Sequence, residues 1–338
     1  MKPKIQIVIP MAGFGSRLRP LTWSKPKPLI NLAGRTSLDF LLDEFKSLEP
    51  KFEMEYVFII SPNGWQIKDF MEAQYPDHKC QYVVQEEMKG QSHALYLAKD
   101  LLEGPMIMTF SDTLLEGDLG FLAEEDADGV AWVQWNPEPQ RFGVAITDKD
   151  NRVERLIEKP PTDEHKLVII GFYYFKDGQQ LMAAIEQQIR DNISLKNEYY
   201  IADAINIMIQ NGAKFIRRET NLWLDSGVPG TVFSTNQYYL DHGFDNTEKA
   251  QKRAGVTVIH PVFIAEDAEV EASVIGPHVS VASGCKIKNA VIQNSIIAEN
   301  TVIENQVLKD SLIGSKVVLK ANASKLFIGD NSAVDQTQ

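Results

Sequence analysis

The last third of the chain contains a repeat that restricts its possible folds more than any other feature. From residue 264 to residue 319, aliphatic residues recur every five or six positions, with small or polar residues between them. Ile275-Gly-Pro-His-Val and Ile313-Gly-Ser-Lys-Val are two examples. Hexapeptide periodicity is typical of a parallel β-helix, because each repeat supplies one short strand to a stacked coil. We therefore expect a β-helix rather than an irregular β-rich domain.

The preceding part of the chain alternates between apolar strand-like runs and amphipathic helical segments. This βαβ pattern predicts an α/β domain with a mainly parallel sheet, which binds ligands at the carboxyl ends of its strands. We expect strands at 5–9, 56–60, 80–84, 105–110, 143–147, 169–175 and 215–217, and helices at 65–74, 93–102, 178–190 and 201–211.

A polar stretch after a probable helix indicates where the two patterns meet. Asp241-His-Gly-Phe-Asp-Asn-Thr-Glu-Lys lacks both the βαβ alternation and the hexapeptide spacing. We therefore predict a first domain at 1–240, a linker at 241–255 and a β-helix domain at 256–330.

Composition limits the function classes. The 338 residues carry a formal net charge of −12, which argues against a general nucleic-acid binder. No run approaches the 18 apolar residues of a membrane span, and the apolar run near the start is too short for a signal peptide. Cys80 and Cys285 are far apart and suggest neither a disulfide framework nor a metal knuckle. We expect a reduced, cytoplasmic setting.

The segment from Pro10 to Pro28 lies in a basic region, whereas the rest of the chain is acidic. The first 38 residues contain seven Lys or Arg and no Asp or Glu. Within them, a predicted strand is followed by Gly13 and Gly15, then by Ser16 and Arg17. A glycine-rich turn brings backbone N–H groups close to a ligand, and basic side chains add charge. The segment therefore predicts an anion site, with phosphate as the obvious ligand.

Two common phosphate motifs are excluded. A Walker loop requires Gly-Lys-Ser/Thr after a four-residue spacer, and no such string follows either glycine. A dinucleotide fingerprint requires a third glycine where the chain has Leu18. A basic surface loop between strand and helix is the alternative interpretation of Gly-x-Gly alone.

The longer string Ala-Gly-x-Gly-Ser-Arg-x-x-Pro-Leu-Thr…Pro-Lys-Pro-Leu resembles the signature of the sugar-1-phosphate nucleotidyltransferases, the NDP-sugar pyrophosphorylases. The resemblance implies a Rossmann-like nucleotidyltransferase domain, followed in some members by a short left-handed β-helix. It also implies that the glycine loop holds the triphosphate of an NTP through Ala12, Gly13, Gly15, Ser16 and Arg17. Lys27 would assist in holding the phosphates.

Two aspartates follow apolar runs. Asp112 comes directly after a predicted strand, and Asp225 lies in Leu222-Trp-Leu-Asp-Ser-Gly227. Each by itself is equally well explained as a capping or turn residue. The resemblance implies that the pair holds magnesium, which prefers one or two carboxylates together with phosphate oxygens and water. Relatives usually have glycine where this chain has Ser111, so this loop is expected to differ in detail.

The segment Tyr82-Val-Val-Gln85-Glu-Glu-Met-Lys-Gly90 resembles the base-recognition segment of the family. The amide of Gln85 has both a donor and an acceptor for a pyrimidine edge, and Gly90 would let the backbone approach the base. A surface loop leading into a helix explains the same residues. We favour UTP or dTTP, and leave guanine and adenine nucleotides open.

Two further segments resemble the sugar-phosphate half of the family site. By this match, Gly143 offers backbone groups to sugar hydroxyls, Glu158 accepts hydrogen bonds from them, and Lys159 faces the sugar phosphate. Glu198, in Asn-Glu-Tyr-Tyr-Ile-Ala-Asp203, would be another sugar ligand. An exposed charged pair is the alternative interpretation of Glu158-Lys159.

The resemblance implies that the protein transfers a nucleoside monophosphate from an NTP to a sugar 1-phosphate. Two alternatives remain open: a non-catalytic sugar-nucleotide-binding regulatory subunit, and a bifunctional enzyme whose β-helix also transfers an acyl group. We expect the β-helix to serve packing and homo-oligomer formation, and we expect neither nucleic acid nor a membrane as a partner. The sequence leaves the identity of the sugar open.

Overall fold

The chain forms two compact units. The computed structural model describes residues 2–322 and residue 328. The first unit runs from residue 1 to residue 235, and the second from residue 236 to residue 338. The predicted β-helix domain at 256–330 includes positions 323–327, 329 and 330, which lie outside the described residues.

The first unit contains thirteen strands and most of the helices of the described chain. The strands are β1 (Lys4–Pro10), β2 (Asn31–Leu32), β3 (Arg35–Thr36), β4 (Glu53–Ile60), β5 (Lys79–Val84), β6 (Met106–Thr109), β7 (Thr113–Leu115), β8 (Gly129–Trp135), β9 (Gly143–Thr147), β10 (Val153–Glu158), β11 (Leu167–Phe175), β12 (Phe215–Glu219) and β13 (Trp223–Asp225). The helices are α1 (Ser37–Glu44), α2 (Trp65–Gln74), α3 (Gln91–Leu97), α4 (Gly178–Arg190), α5 (Ile201–Gln210) and α6 (Pro229–Tyr239), the last of which continues into the second unit.

A nine-stranded mixed sheet organises this unit, with the order β10-β9-β11-β6-β1-β4-β5 and with β8 and β12 joined through β11. Strand β1 pairs in parallel with β4 and β6, while β11 pairs antiparallel with β6, β8 and β9. Residues Ile5, Ile7, Val8 and Ile9 of β1 are fully buried, as expected for a central strand covered on both faces. The loops after β1 and β6 therefore meet at one edge of the sheet.

Most predicted elements are present, and the exceptions have local causes. Helices α2 and α4 and strand β9 have the predicted bounds. The helix predicted at 93–102 is instead α3, which ends at Leu97. There the Ala98 N–H bonds to the carbonyls of Leu95 and Tyr96, which tightens the chain into a 3-10 turn at Lys99–Leu101. Helix α1 and the strands β2, β3, β7, β8, β10 and β13 are absent from the prediction.

The second unit contains α7 (Thr247–Ala250) and twelve short strands. These are β14 (Val256–Val258), β15 (Val262–Ile264), β16 (Glu269–Glu271), β17 (Ser273–Ile275), β18 (Val279–Val281), β19 (Lys286–Lys288), β20 (Val291–Gln293), β21 (Ser295–Ile297), β22 (Val302–Glu304), β23 (Val307–Lys309), β24 (Leu312–Ile313) and β25 (Val318–Lys320). They form three four-stranded parallel sheets, β14-β17-β20-β23, β15-β18-β21-β24 and β16-β19-β22-β25.

The hexapeptide residues form the core of these coils. Ile275 pairs in register with Ile292, which pairs with Leu308, so that aliphatic side chains stack from coil to coil. Asn289 and Asn305, 16 residues apart, both have positive φ at a corner, a conformation that asparagine tolerates well. The predicted fold class is confirmed: an α/β domain with a mixed sheet is followed by parallel coils that agree with a left-handed β-helix.

The segment predicted as a linker, 241–255, lies within the second unit. Ala250 in α7 is buried in the core of the coils, and the amide side chain of Asn246 bonds to both the N–H and the carbonyl of Ile264. No helix in residues 2–322 combines the length and the apolar character needed to cross a membrane.

Candidate active site

A cavity of about 640 Å³ in the first unit collects every residue that the sequence predicts for a site. It lies where β1 and β6 end, at the carboxyl edge of the sheet. The fourteen predicted residues, all of which are among those that line it, are Ala12, Gly13, Gly15, Ser16, Arg17, Lys27, Gln85, Gly90, Asp112, Gly143, Glu158, Lys159, Glu198 and Asp225. Their individual roles stay predictions.

The glycine-rich loop enters the cavity directly after β1. Gly15 has a φ of 57° and precedes a 3-10 turn at Ser16–Leu18. The hydroxyl of Thr22 donates to the Gly15 carbonyl at 2.8 Å, which fixes the turn. Gly13 has no atom within 4 Å of the position that a Cβ would take. Arg17 is exposed and, within residues 2–322, has no ion-pair partner, so its guanidinium is available to an anion.

Asp112, Asp225 and Lys27 converge beside Gly227. The position of a Cβ built on Gly227 lies 2.6 Å from Asp225 Oδ1, 3.1 Å from Asp112 Oδ2 and 3.3 Å from Lys27 Nζ. Lys27 forms an ion pair with Asp112, and the Gly227 N–H donates to Asp225 at 2.6 Å. Only glycine leaves room for these three groups. The short pairing of β7 with β13, which sets Asp225 opposite Thr113, brings the two carboxylates together.

The electrostatics of this cluster fit a divalent cation. Burial raises the pKa of Asp225, and the negative charge of Asp112 raises it further, whereas Lys27 and Arg17 act in the opposite direction. Two hard carboxylates that repel each other are a suitable donor pair for a small divalent ion. Within the described residues, no cluster of three or more His, Cys, Asp or Glu could hold a metal, so the remaining ligands would come from substrate or water.

The segment that contains Gln85 and Gly90 is held by the backbone of Tyr199. Gln85 is only 4% exposed, and its side-chain N–H₂ lies 3.5 Å from the Gly90 carbonyl. Gly90 has a φ of 97°, and a Cβ there would lie 2.5 Å from the Tyr199 nitrogen. The Tyr199 N–H donates to the Lys89 carbonyl, and the Ser92 N–H donates to the Tyr199 carbonyl. Glycine at position 90 is therefore required by packing, in addition to any approach of a base.

Glu158 and Lys159 line the cavity beside Gly143 and Tyr200. A Cβ on Gly143 would lie 3.1 Å from Glu158 Oε2, so Gly143 leaves room for the carboxylate. Burial raises the pKa of Glu158, while Lys159 lowers it. Lys159 has a φ of 47°, a conformation that a non-glycine residue adopts only when the surrounding structure imposes it. Its ammonium donates to the Tyr200 hydroxyl at 3.0 Å.

The sequence prediction omitted several side chains of the cavity, among them Tyr200 and Trp223. Trp223 is two residues before Asp225 on β13, and strand alternation places both on one face. Its indole N–H is buried and has no hydrogen-bond partner among the residues that the structure describes. Ser111, where relatives usually have glycine, is 7% exposed and also lines the cavity.

Comparison with known proteins gives the same family as the sequence motifs. The model of the nucleotidyl transferase family matches residues 7–242, well over half of the chain. The bifunctional protein GlmU of Methanococcus vannielii is 30% identical over 242 residues, which cover 69% of this chain and 54% of that relative. This chain thus spans about half the length of the GlmU relative. Members of the family generally use a divalent metal.

A second relative is matched over most of its length. The UTP–glucose-1-phosphate uridylyltransferase AglF of Haloferax volcanii is 29% identical over 233 residues, which cover 67% of this chain and 92% of AglF. A crystal structure of UDP-glucose pyrophosphorylase complexed with UDP-glucose superposes with a TM-score of 0.62 at 17% identity. It covers 72% of this chain and 100% of that one. At this identity the likeness supports the fold.

Proposed function

Because the chain belongs to the nucleotidyl transferase family, we propose that it transfers a nucleoside monophosphate from an NTP to a sugar 1-phosphate and releases pyrophosphate. The observation that carries the proposal is the arrangement of charge in one cavity. Arg17, Lys27 and the two aspartates line the same cavity as Glu158 and Lys159, and Lys27 pairs with Asp112 while Lys159 pairs with Glu158. A site for two phosphorylated substrates requires two separate cationic groups.

The proposed chemistry needs positioning and charge neutralisation more than proton transfer. The attacking oxygen of a sugar phosphate is ionised at neutral pH, so no general base is required. The two substrates are polyanions that must approach each other in line, and their repulsion is the main obstacle. Arg17 would bind the triphosphate, Lys27 would assist, and Lys159 would hold the attacking phosphate.

We propose magnesium as the divalent ion, held by Asp112 and Asp225. When bound, it would neutralise phosphate charge and polarise the phosphoryl oxygens. The ion pair between Lys27 and Asp112 keeps a cation beside the carboxylates.

We favour a pyrimidine nucleotide, UTP or dTTP. The buried amide of Gln85 can pair with both a donor and an acceptor on a base edge. The relative AglF is named for UTP and glucose 1-phosphate, which agrees with this preference. The sugar ligands in the proposal are Gly143, Glu158 and Glu198, and the identity of the sugar is left to experiment.

The β-helix is proposed to be structural. Its two candidate catalytic histidines are both engaged within the second unit: His278 Nε2 lies 3.0 Å from Asp241 Oδ1, and His260 Nδ1 lies 3.2 Å from the Thr247 hydroxyl oxygen. These contacts favour packing over acyl transfer. Homo-oligomer formation through the β-helix and a cytoplasmic location stay predictions, and sedimentation of the full chain would test the first.

The deciding experiment measures pyrophosphate release with magnesium for UTP, dTTP, CTP, ATP and GTP, each combined with a panel of hexose, hexosamine and heptose 1-phosphates. We expect a productive pair that contains UTP or dTTP, with the signal abolished by EDTA. A folded protein that binds a sugar nucleotide in a calorimeter but releases no pyrophosphate would instead be the regulatory subunit.

A further inference from the structure

Helix α1 packs against the short ribbon that carries both aspartates of the cavity. This ribbon consists of β7 and β13, which pair so that Trp223 lies opposite Leu115 and Asp225 lies opposite Thr113. Asp112 comes directly before β7. With only three residues in each strand, the ribbon has little stability of its own and depends on what packs against it.

The C-terminal end of α1 holds one end of the ribbon through Glu44. Its Oε1 accepts a hydrogen bond of 2.8 Å from the Leu115 N–H. Its Oε2 is buried and has no hydrogen-bond partner among the residues that the structure describes. A carboxyl group in such surroundings is costly, so a function beyond filling space is indicated.

The N-terminal end of α1 holds the other end of the ribbon through Ser37. The Ser37 and Ser226 hydroxyl oxygens are 3.0 Å apart, and both residues are almost completely buried. Ser226 follows Asp225, and its N–H donates to the Asp112 carbonyl at 3.1 Å. A hydrogen bond from α1 therefore reaches the residue that connects the two aspartates.

Helix α1 is itself rigidly anchored at its start. Thr36 and Asp39 form a reciprocal capping box, and the Tyr75 hydroxyl donates to Asp39 Oδ1 at 2.6 Å. A helix fixed in this way can transmit its own position to the ribbon.

We propose that Glu44 and Ser37 are positioning residues that hold the β7–β13 ribbon at its two ends and thereby fix the distance between the Asp112 and Asp225 carboxylates. Neither side chain lines the cavity, so both act through the ribbon. The inference rests on the proposed function, because it assigns those two carboxylates to a divalent metal.

The surroundings of Glu44 favour its neutral form. Burial raises its pKa well above the ordinary value, Asp43 and Glu116 raise it further, and only the Leu115 N–H acts in the opposite direction. The cations on the elements around α1 are engaged elsewhere: Arg35 and Lys46 pair with Asp43, and Lys27 pairs with Asp112. The native state therefore keeps this proton at a pH where the unfolded chain has lost it.

The test uses the full chain and Mn²⁺ as a metal probe, with the free ion measured by electron paramagnetic resonance. Glu44→Leu removes the acceptor and leaves the Leu115 N–H unpaired, so we expect binding of Mn²⁺ to weaken by about tenfold. We expect kcat to fall as well, with the KM for the nucleotide nearly unchanged. Glu44→Gln keeps an acceptor and should stay within about threefold of wild type. Asp43→Asn, on the same helix turn, is the control.

A second measurement covers the case in which Glu44→Leu does not fold. Because the native pKa of Glu44 is raised, wild-type stability falls as pH rises above the unfolded pKa. The melting temperature of Glu44→Gln relative to wild type should therefore increase between pH 5 and pH 8. Ser37→Ala should weaken Mn²⁺ binding by several-fold at unchanged fold.

The outcomes separate this inference from the proposed function. If the wild-type protein binds Mn²⁺ but releases no pyrophosphate, the proposed reaction is refuted. The Mn²⁺ titrations of the variants then still decide the positioning inference. Normal Mn²⁺ binding by Ser37→Ala and by a folded Glu44→Leu would overturn the inference, as would a wild-type protein that does not bind Mn²⁺.

Discussion

The cavity of the first unit gathers several charged side chains in one place, whereas the charged residues of the second unit include pairs that repeat from coil to coil. In the cavity, Asp225 and Glu158 are buried carboxylates whose pKa values are raised. On the β-helix, Lys286 lies 2.9 Å from Glu269 and Lys320 lies 2.9 Å from Glu304, each one coil away. Three of these side chains are well exposed and that of Glu304 is partly exposed. The coils pair opposite charges at the surface, whereas the cavity brings two aspartates together beside one lysine, Lys27.

This difference indicates where ligands act. Asp112 and Asp225 are partly buried like charges that lie close together, and Lys27 compensates for one of them. A bound cation would compensate for the other. Exposed pairs on neighbouring coils contribute little to stability and need no ligand. We therefore expect substitutions in the cavity to affect catalysis and substitutions in the coils to affect stability.

The largest effect is expected for the cavity. Asp225→Asn keeps the shape but removes one proposed metal ligand and the repulsion with Asp112, so turnover should fall by about 10²–10³-fold while the melting temperature stays equal or rises. Arg17→Ala should lower turnover to a similar extent. Pyrophosphate release and circular dichroism measure the two properties. Asp203→Asn, outside the cavity lining, is the control, and near-normal turnover of both cavity variants would show that these roles are wrong.

The next effect is expected in the core of the coils. Ile292 is fully buried between Ile275 and Leu308, so Ile292→Ala should lower the free energy of unfolding of the second unit by about 2–5 kcal/mol. Activity per folded molecule should be unchanged. Val291→Ala, on the exposed face of the same strand, is the matched control for denaturant unfolding. A loss of turnover without a loss of stability would contradict the division of roles.

A smaller effect is expected from pH. Because burial raises the pKa of Glu158, this carboxyl gains a proton at a higher pH than an ordinary glutamate and then no longer accepts a second hydrogen bond from a sugar. The value of kcat/KM for the sugar phosphate should fall as pH drops through that pKa, by up to about tenfold per pH unit. Glu158→Gln cannot titrate and corrects for the ionisation of the substrate itself. Identical pH profiles of the two proteins would remove Glu158 from the sugar site.

The smallest effect is expected for the surface pairs. Lys286→Gln breaks an ion pair in which both side chains are more than half exposed, so the free energy of unfolding should change by less than about 1 kcal/mol. A double-mutant cycle with Glu269→Gln measures the coupling of the pair. A coupling well above that value would mean that the exposed ladder contributes to the stability of the coils.

The spacing of apolar residues predicted the fold well where it stayed regular over many residues. The hexapeptide spacing alone identified the coils, and the amphipathic pattern gave the bounds of α2 and α4. It failed at α3, where Ala98 turns the helix into a 3-10 turn. It also missed α1, although the capping box Thr36-x-x-Asp39 is a local sequence signal for the start of this helix.

The candidate site was predicted from motifs, and its fourteen residues lie in one cavity. Tyr200 and Trp223 were missed, although each lies two residues from a predicted residue, Glu198 and Asp225 respectively. Glu44 and Ser37 had no local signal at all, because their partners Leu115 and Ser226 are 71 and 189 residues away.

The sequence by itself determined the two architectures, the family and the residue types of the cavity, since each depends on periodicity or on short strings that local physical chemistry can read. The tertiary structure decided which carboxylates meet, why Gly90 and Gly227 must be glycine, and what holds the ribbon in place. These facts depend on contacts between segments that are distant along the chain. Only the sheet order and the packing of α1 against β7 bring them together.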